Sequence, residues 1–141
     1  MVLRRLKRLL NKAFKKEVKM VLREGTGKFT QAIVLRGDLR LNKAQCVNFG
    51  SHASLHAFQQ LLKKGKAGEA IAFGWDETGC RKIVLSARNL REMLKCKQRA
   101  EAAKLAYYMI IDEKFGEVAL AIGPWYENDL RELTRGLKSL R

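Results

Sequence analysis

The spacing of apolar residues changes its period along the chain, and each change predicts an element. Residues 30–37 (TQAIVLRG) form a compact run, apolar on both faces, which predicts an interior strand. From Asn42 onward, Val47, Ser51, Ser54, Leu55, Phe58, Leu61 and Leu62 trace one stripe of a helix to about Lys64. Glycine and lysines in LLKKGKAG close it, as helix C-termini prefer. Residues 70–80 (AIAFGWDETGC) start apolar but keep no period and read as irregular. A second strand is predicted over 81–87 (RKIVLSA), and a helix over 89–106, with Leu90, Met93, Leu94 and the pair Lys97 to Glu101 at helical intervals. YYMIID (107–112) and EVALAIG (117–123) read as two strands joined by a hairpin-sized EKFG, with Pro124 stopping the second. ENDLRELTRGLKSL (127–140) reads as a last helix, with Glu127 or Asn128 near its start.

Ahead of these elements, Leu3, Leu6, Leu10, Ala13 and Phe14 fall near helical spacing. The first 31 residues hold ten Lys/Arg against Glu17 and Glu24, a local net of +8. This predicts a basic amphipathic helix, with residues 1–28 as an extension and 29–141 as the domain. Three jobs suit it: contact with RNA or an anionic surface, mitochondrial targeting, or docking its leucine face on the domain. Strands alternating with helices predict a sheet covered on both faces, and the closing hairpin makes it mixed.

Charge narrows the partners. Lys plus Arg is 29 against 14 Asp plus Glu, a net of +15 over 141 residues. Such a surface attracts polyanions and releases counterions as phosphates are neutralised, so nucleic acid, RNA above all, is the favoured partner. An anionic membrane surface comes second, and no apolar run approaches the roughly 18 residues of a spanning helix. Cys46, Cys80 and Cys96 form no CxxC, which argues against a disulfide framework or a zinc site and fits a reducing compartment, mitochondrial or cytoplasmic. No metal or cofactor is expected.

Several residues carry candidate chemistry. Lys43, at the first helical turn, suits a phosphate beside free backbone N–H groups, or is one more surface lysine. Asp38 follows the strand end, where ligands gather in α/β sheets, but its residue type favours a turn role. Arg36-Gly37-Asp38 spells an adhesion tripeptide, discounted in a basic, thiol-bearing chain. His52 and His56, four apart, share a helix face without a third metal ligand, so a structural role is favoured. Packing suits Trp75, and Trp125, in a loop before a helix, is the better exposed platform for a base.

The order of short motifs resembles the type 2 peptidyl-tRNA hydrolases. Arg36, Asp38 and Leu39 fit that family's R-x-D-L, Lys43 fits the first lysine of its K-x-K turn, and His52-Ala53 fit its H-A, without a gap. ALAIGP (119–124) is similar to the strand ending in I-G-P, and Thr134, Leu137 and Lys138 match the closing T-G-H-L-K segment. The resemblance covers residues 30–141 and implies a three-layer α/β/α domain with a four-stranded mixed sheet. It implies hydrolysis of the ester between a peptide and the terminal ribose of tRNA. Lys43 and Asp112 are then the catalytic candidates, and Arg36, Asp38, Arg40, Lys43, His52 and Lys138 the residues that meet substrate or RNA. The sequence departs from the pattern at four places. Gln45 replaces the second lysine, Phe49 the helix glutamine and Val118 the threonine of the last strand, while EKFGE lacks the longer D-A-G-x-T-Q loop. The other readings are a non-catalytic RNA-binding or ribosome-associated protein on the same fold, and an adaptor whose basic helix binds a membrane or an acidic protein.

Overall fold

The computed structural model describes residues 28–141, and the expected N-terminal helix lies outside them. The described chain runs β1 (Phe29–Arg36), a 3-10 turn (Gly37–Leu39), α1 (Lys43–Leu62), α2 (Lys66–Glu77), β2 (Lys82–Ala87), α3 (Leu90–Ala102), β3 (Tyr107–Asp112), β4 (Gly116–Tyr126), α4 (Glu127–Leu133) and β5 (Lys138–Ser139). The strands form one sheet in the order β3-β4-β1-β2-β5. β1 pairs in parallel with β2 and antiparallel with β4, so the sheet is mixed.

The continuous apolar run of β1 follows from its central place. Side chains alternate across a strand. Ala32 and Val34 face Met93, Cys96 and Ala100 of α3 and Leu130 of α4. Ile33 and Leu35 face Ala53 and Ala57 of α1. Both faces are therefore covered, and the three-layer arrangement stands. A third cluster joins Phe29, Leu61, Ile71, Trp75 and Tyr126 at one end of the sheet, which bears out a packing role for Trp75.

Four expectations are corrected. The sheet has five strands, not four: Lys138 and Ser139 add to the outer edge of β2 opposite Ser86 and Leu85. The last helix accordingly stops at Leu133. Gly136, at φ +94°, then turns the chain back to the sheet, a conformation glycine adopts at no steric cost. Residues 70–77 are not irregular but complete α2, in which Gly68 and every residue from Ala70 to Trp75 are buried, and only 78–80 lie in the turn after it. The buried residues run without a break from Ala70 to Trp75, so no apolar–polar alternation marks the helix within that stretch. Finally, β4 continues through Pro124. β3 begins at Tyr107, opposite Ile122, so no strand on that side asks Pro124 for an N–H, and the register with β1 shifts between Thr30 and Ala32.

The stripe predicted for α1 is also displaced. Its buried face is Gly50, Ala53, Ser54, Ala57 and Leu61, and the first four are small residues that let the helix lie close on the sheet. Val47 and Leu55 instead remain 71% and 55% exposed. Gln31, fully buried in β1, holds the layers together: its Nε2 donates to the Ser54 carbonyl at 3.1 Å and its Oε1 accepts from the Ser54 hydroxyl. Pairing is what makes a buried amide tolerable there.

Candidate functional site

The site is built where β1 hands over to α1. Arg36 ends the strand with its side chain 10% exposed. Its Nε and Nη2 donate to the two carboxylate oxygens of Asp38, each at 2.8 Å, and Nη1 donates to the Glu117 carbonyl at 3.0 Å. This forked clamp ties the 3-10 turn to β4. The guanidinium holds the Asp38 carboxyl below the usual carboxylate range, chiefly through these hydrogen bonds. Gly37 is required here for space, since a Cβ would lie 2.3 Å from the Ser86 hydroxyl oxygen.

The clamp makes a pH prediction. A carboxyl whose pKa is depressed on folding contributes stability above its unfolded pKa and loses it as pH falls through the folded value. Urea unfolding of wild type and Asp38→Asn should therefore differ by a constant amount from neutral pH down to about pH 5, and the gap should close at lower pH. A gap that persists unchanged at pH 2 would mean that the clamp is not what the substitution removes.

Beyond the turn, Arg40 is exposed in the left-handed region (φ 51°). Asn42 then caps α1 reciprocally with Gln45: Asn42 Oδ1 accepts from the Gln45 N–H at 2.8 Å, and Gln45 Oε1 accepts from the Asn42 N–H at 2.9 Å. Lys43 is the first helical residue. It is exposed, and no acidic side chain among the described residues pairs with it. The helix start has no acid of its own in the first turn, so its positive end faces solvent beside the Lys43 ammonium.

The registers place the carboxyl ends of β1, β2 and β3 at one edge of the sheet. Arg36, Asp38, Arg40 and Lys43 surround that mouth, and Lys138 joins them from β5, opposite Ser86. Asp112 is at the same edge, across β4, in the hairpin. Its Oδ2 accepts from the Lys114 and Phe115 N–H groups at 2.9 and 3.1 Å and so holds the turn. His52 is elsewhere, nine residues along α1, about 13 Å from Lys43 at 1.5 Å per residue. Its ring lies 4.5 Å from that of His56, which in turn stacks at 4.5 Å on Tyr108. Among the described residues no group of three His, Cys, Asp or Glu is placed to hold a metal ion. Trp125, expected as an exposed platform, is half-buried and donates its indole N–H to Asp129 at 2.8 Å.

Two features of the mouth were hidden in the sequence. An open groove of about 590 Å³, lined by Ile33, Cys46, Val47, Leu55, Val84 and Leu140, runs between α1 and β2. Cys46 and Val47 follow Lys43 by three and four residues, so the groove opens one helical turn below it. The other feature explains the departures from the family pattern. Gln45 is part of the helix cap, Phe49 packs edge-on against Phe115 of the hairpin with centroids 6.5 Å apart, and Val118 is fully buried in the core.

A mixed sheet between two helical layers, with a basic mouth outside its strand ends, defines an α/β domain of the kind that takes its ligand at that edge. A family model described as "Peptidyl-tRNA hydrolase PTH2" matches residues 29–140. A "Peptidyl-tRNA hydrolase" of Methanococcus maripaludis is 31% identical over 118 residues, covering 79% of this chain and 99% of that protein. Another, from Methanopyrus kandleri, is 30% identical over 119 residues, covering 80% of this chain and 99% of that one. A "Probable peptidyl-tRNA hydrolase 2" of Dictyostelium discoideum is 29% identical over 121 residues, covering 82% of this chain, which spans 56% of that longer protein. The chain belongs to the PTH2 family of peptidyl-tRNA hydrolases. Among the described residues no helix is long and apolar enough to cross a membrane.

Proposed function

We propose that this domain binds peptidyl-tRNA across the mouth of the sheet and hydrolyses the ester that joins the peptide to the terminal ribose. The observation that carries this reading is Lys43. It is exposed, unpaired by any acid among the described residues, set at a capped helix N-terminus, and matched to the family's lysine. There its ammonium and the free N–H groups of the first helical turn meet a phosphate or the oxyanion of the tetrahedral intermediate. Asp38 is engaged at both oxygens by Arg36, so it serves to hold the turn. Asp112 keeps Oδ1 without a hydrogen bond among the described residues, which suits it to orient the attacking water. The water adds to the acyl carbon and gives up its proton, the bond to the ribose oxygen breaks, and the ribose leaves carrying a proton. The apolar groove that starts one helical turn from Lys43, at Cys46 and Val47, suits the peptide. Arg40 and Lys138 add cations for the tRNA backbone. The chain acts inside the cell, mitochondrial or cytoplasmic, in keeping with its three free thiols.

A second reading has its own observation. Phe49, Phe115 and Val118 fill with apolar contact the places where the family pattern carries an amide and a hydroxyl. This favours a non-catalytic RNA-binding or ribosome-associated protein on the same fold. Turnover of a purified N-acyl-aminoacyl-tRNA separates the two. The hydrolase reading expects release of the N-acyl amino acid by the full chain. No release at high protein concentration, with tRNA still bound, establishes the second. In either case tRNA affinity should fall steeply with salt, and deleting residues 1–28 should flatten that dependence.

A further inference from the structure

The mouth of the sheet leaves one strongly basic surface unexplained. Where the last turn of α1 approaches the start of β3, Gln60, Lys63, Lys64, Lys97, Tyr107 and Tyr108 line a groove of about 600 Å³. Lys63 and Lys64 are exposed, and Lys64 Nζ donates to the Lys104 carbonyl at 2.9 Å, which brings a fourth lysine alongside. The acid facing this group is Glu101, 3.7 Å from Lys97 and hydrogen-bonded to the Tyr107 hydroxyl. Four cations against one carboxylate leave the groove positive.

Aromatic rings continue from the groove along the same flank. Tyr107 and Tyr108, adjacent in an edge strand, point to opposite faces of the sheet: Tyr107 packs with the α3 layer and Tyr108 with the α1 layer. Tyr108 stacks on His56 with an interplanar angle of 22°, and His56 contacts His52, an exposed ring at the end of the ladder. Phe49, further along α1, meets Phe115 in the hairpin that carries Asp112. Cations at one end, the Tyr108–His56 stack with the tilted His52 ring in the middle, and the hairpin of Asp112 at the other end follow one flank along β3. A positive groove beside aromatic platforms is the composition that holds single-stranded nucleic acid, because every base has a face to stack while the lysines track its phosphates.

We propose that the outer flank of β3 is a binding track for single-stranded RNA, with Lys63, Lys64 and Lys97 on the phosphates and the Tyr108–His56–His52 ladder under the bases. The track leads an unpaired RNA end towards the mouth at Lys43. It rests on the reading that this chain binds RNA, but not on the hydrolysis of any ester.

The test is fluorescence anisotropy of the full chain with a labelled 12-nucleotide oligouridine, titrated at several salt concentrations. Replacing Lys63, Lys64 and Lys97 together by alanine should lower the slope of log affinity against log salt by about 2, at roughly 0.7 for each phosphate left without its lysine. Replacing Lys82, Arg91 and Lys95, which are exposed and line no part of this groove, removes the same charge and should change the slope far less. Tyr108→Leu should weaken binding about tenfold with the slope unchanged, and Tyr108→Phe should bind as wild type, since the ring is kept. Equal effects from the two triple replacements, or no loss in Tyr108→Leu, would overturn the track while leaving RNA binding elsewhere on the chain intact. Wild-type protein that fails to bind the oligouridine at low salt would overturn the track and the RNA reading together. A labelled oligoglutamate bound as tightly as the RNA, with the same dependence on Tyr108, would assign the surface to an acidic polypeptide instead.

Discussion

Gly68→Ala is expected to lower the unfolding free energy by about 3 kcal/mol or more, making it among the most damaging single substitutions in the domain. A Cβ on Gly68 would stand 2.0 Å from the Leu61 carbonyl oxygen and 3.1 Å from its carbon. Both are backbone atoms at the end of α1 and cannot swing aside as a side chain would. The contact arises because α2 starts only four residues after α1 ends, across a turn whose Gly65 sits at φ +79°. Relief requires α2 to lift, and α2 carries Ile71, Ala72 and Trp75 into the cluster that includes Phe29 and Tyr126. Urea denaturation should show a lower midpoint with an unchanged slope, the mark of altered stability rather than an altered denatured state. Ala67→Gly, one residue earlier and exposed, is the control and should cost about 1 kcal/mol through helix propensity alone. A Gly68→Ala protein within about 1 kcal/mol of wild type would mean that the crossing of the two helices yields easily.

Lys43→Ala is expected to reduce kcat/KM for N-acyl-aminoacyl-tRNA about 100-fold, roughly 2.7 kcal/mol of transition-state stabilisation. The effect follows from position. The ammonium stands at the start of a capped helix, so its charge and the helix N-terminus act on one spot, and no acidic side chain among the described residues competes for it. Lys43→Arg keeps the charge and should recover most of the activity. Comparing kcat with KM divides the role. A fall in kcat assigns Lys43 to the developing oxyanion, whereas a rise in KM alone assigns it to a phosphate that is held equally throughout. Unchanged kcat/KM would put the chemistry elsewhere on the mouth. The protein should fold normally, because the cap is made by Asn42 and Gln45 and Lys43 makes no contact that the helix needs.

The same corner shows how far motif matching reaches. Arg36, Asp38 and Lys43 were legible as a group because their spacing follows the family's strand, turn and helix. Their division of labour was not. Two residues of the group, Arg36 and Asp38, spend their charges on each other and on the Glu117 carbonyl, a partner 81 residues away in the chain. Asp112 was legible as the aspartate at the end of a strand, but its use of one oxygen to close the hairpin depends on the short EKF turn. The pair His52 and His56 was visible at a spacing of four. Its ring partner Tyr108 lies in another layer, and no local pattern connects them.

Local pattern sufficed for the elements whose apolar period is set by one-sided or two-sided burial. β1, β2, β3, α1 and α3 were placed within a few residues, because alternation and helical spacing are local consequences of where a side chain points. Composition also gave the charge, and the order of the motifs gave the family. The remaining features depend on contacts between distant parts of the chain. α2 was hidden because its six consecutive buried residues, Ala70 to Trp75, show no alternation with polar positions. Lys138 and Ser139 became a fifth strand because β2 offered an unpaired edge and Gly136 let the chain turn back to it. Val47 and Leu55 became the rim of an open groove because glycine and alanine, and not the largest apolar residues of α1, were the ones small enough to meet the sheet.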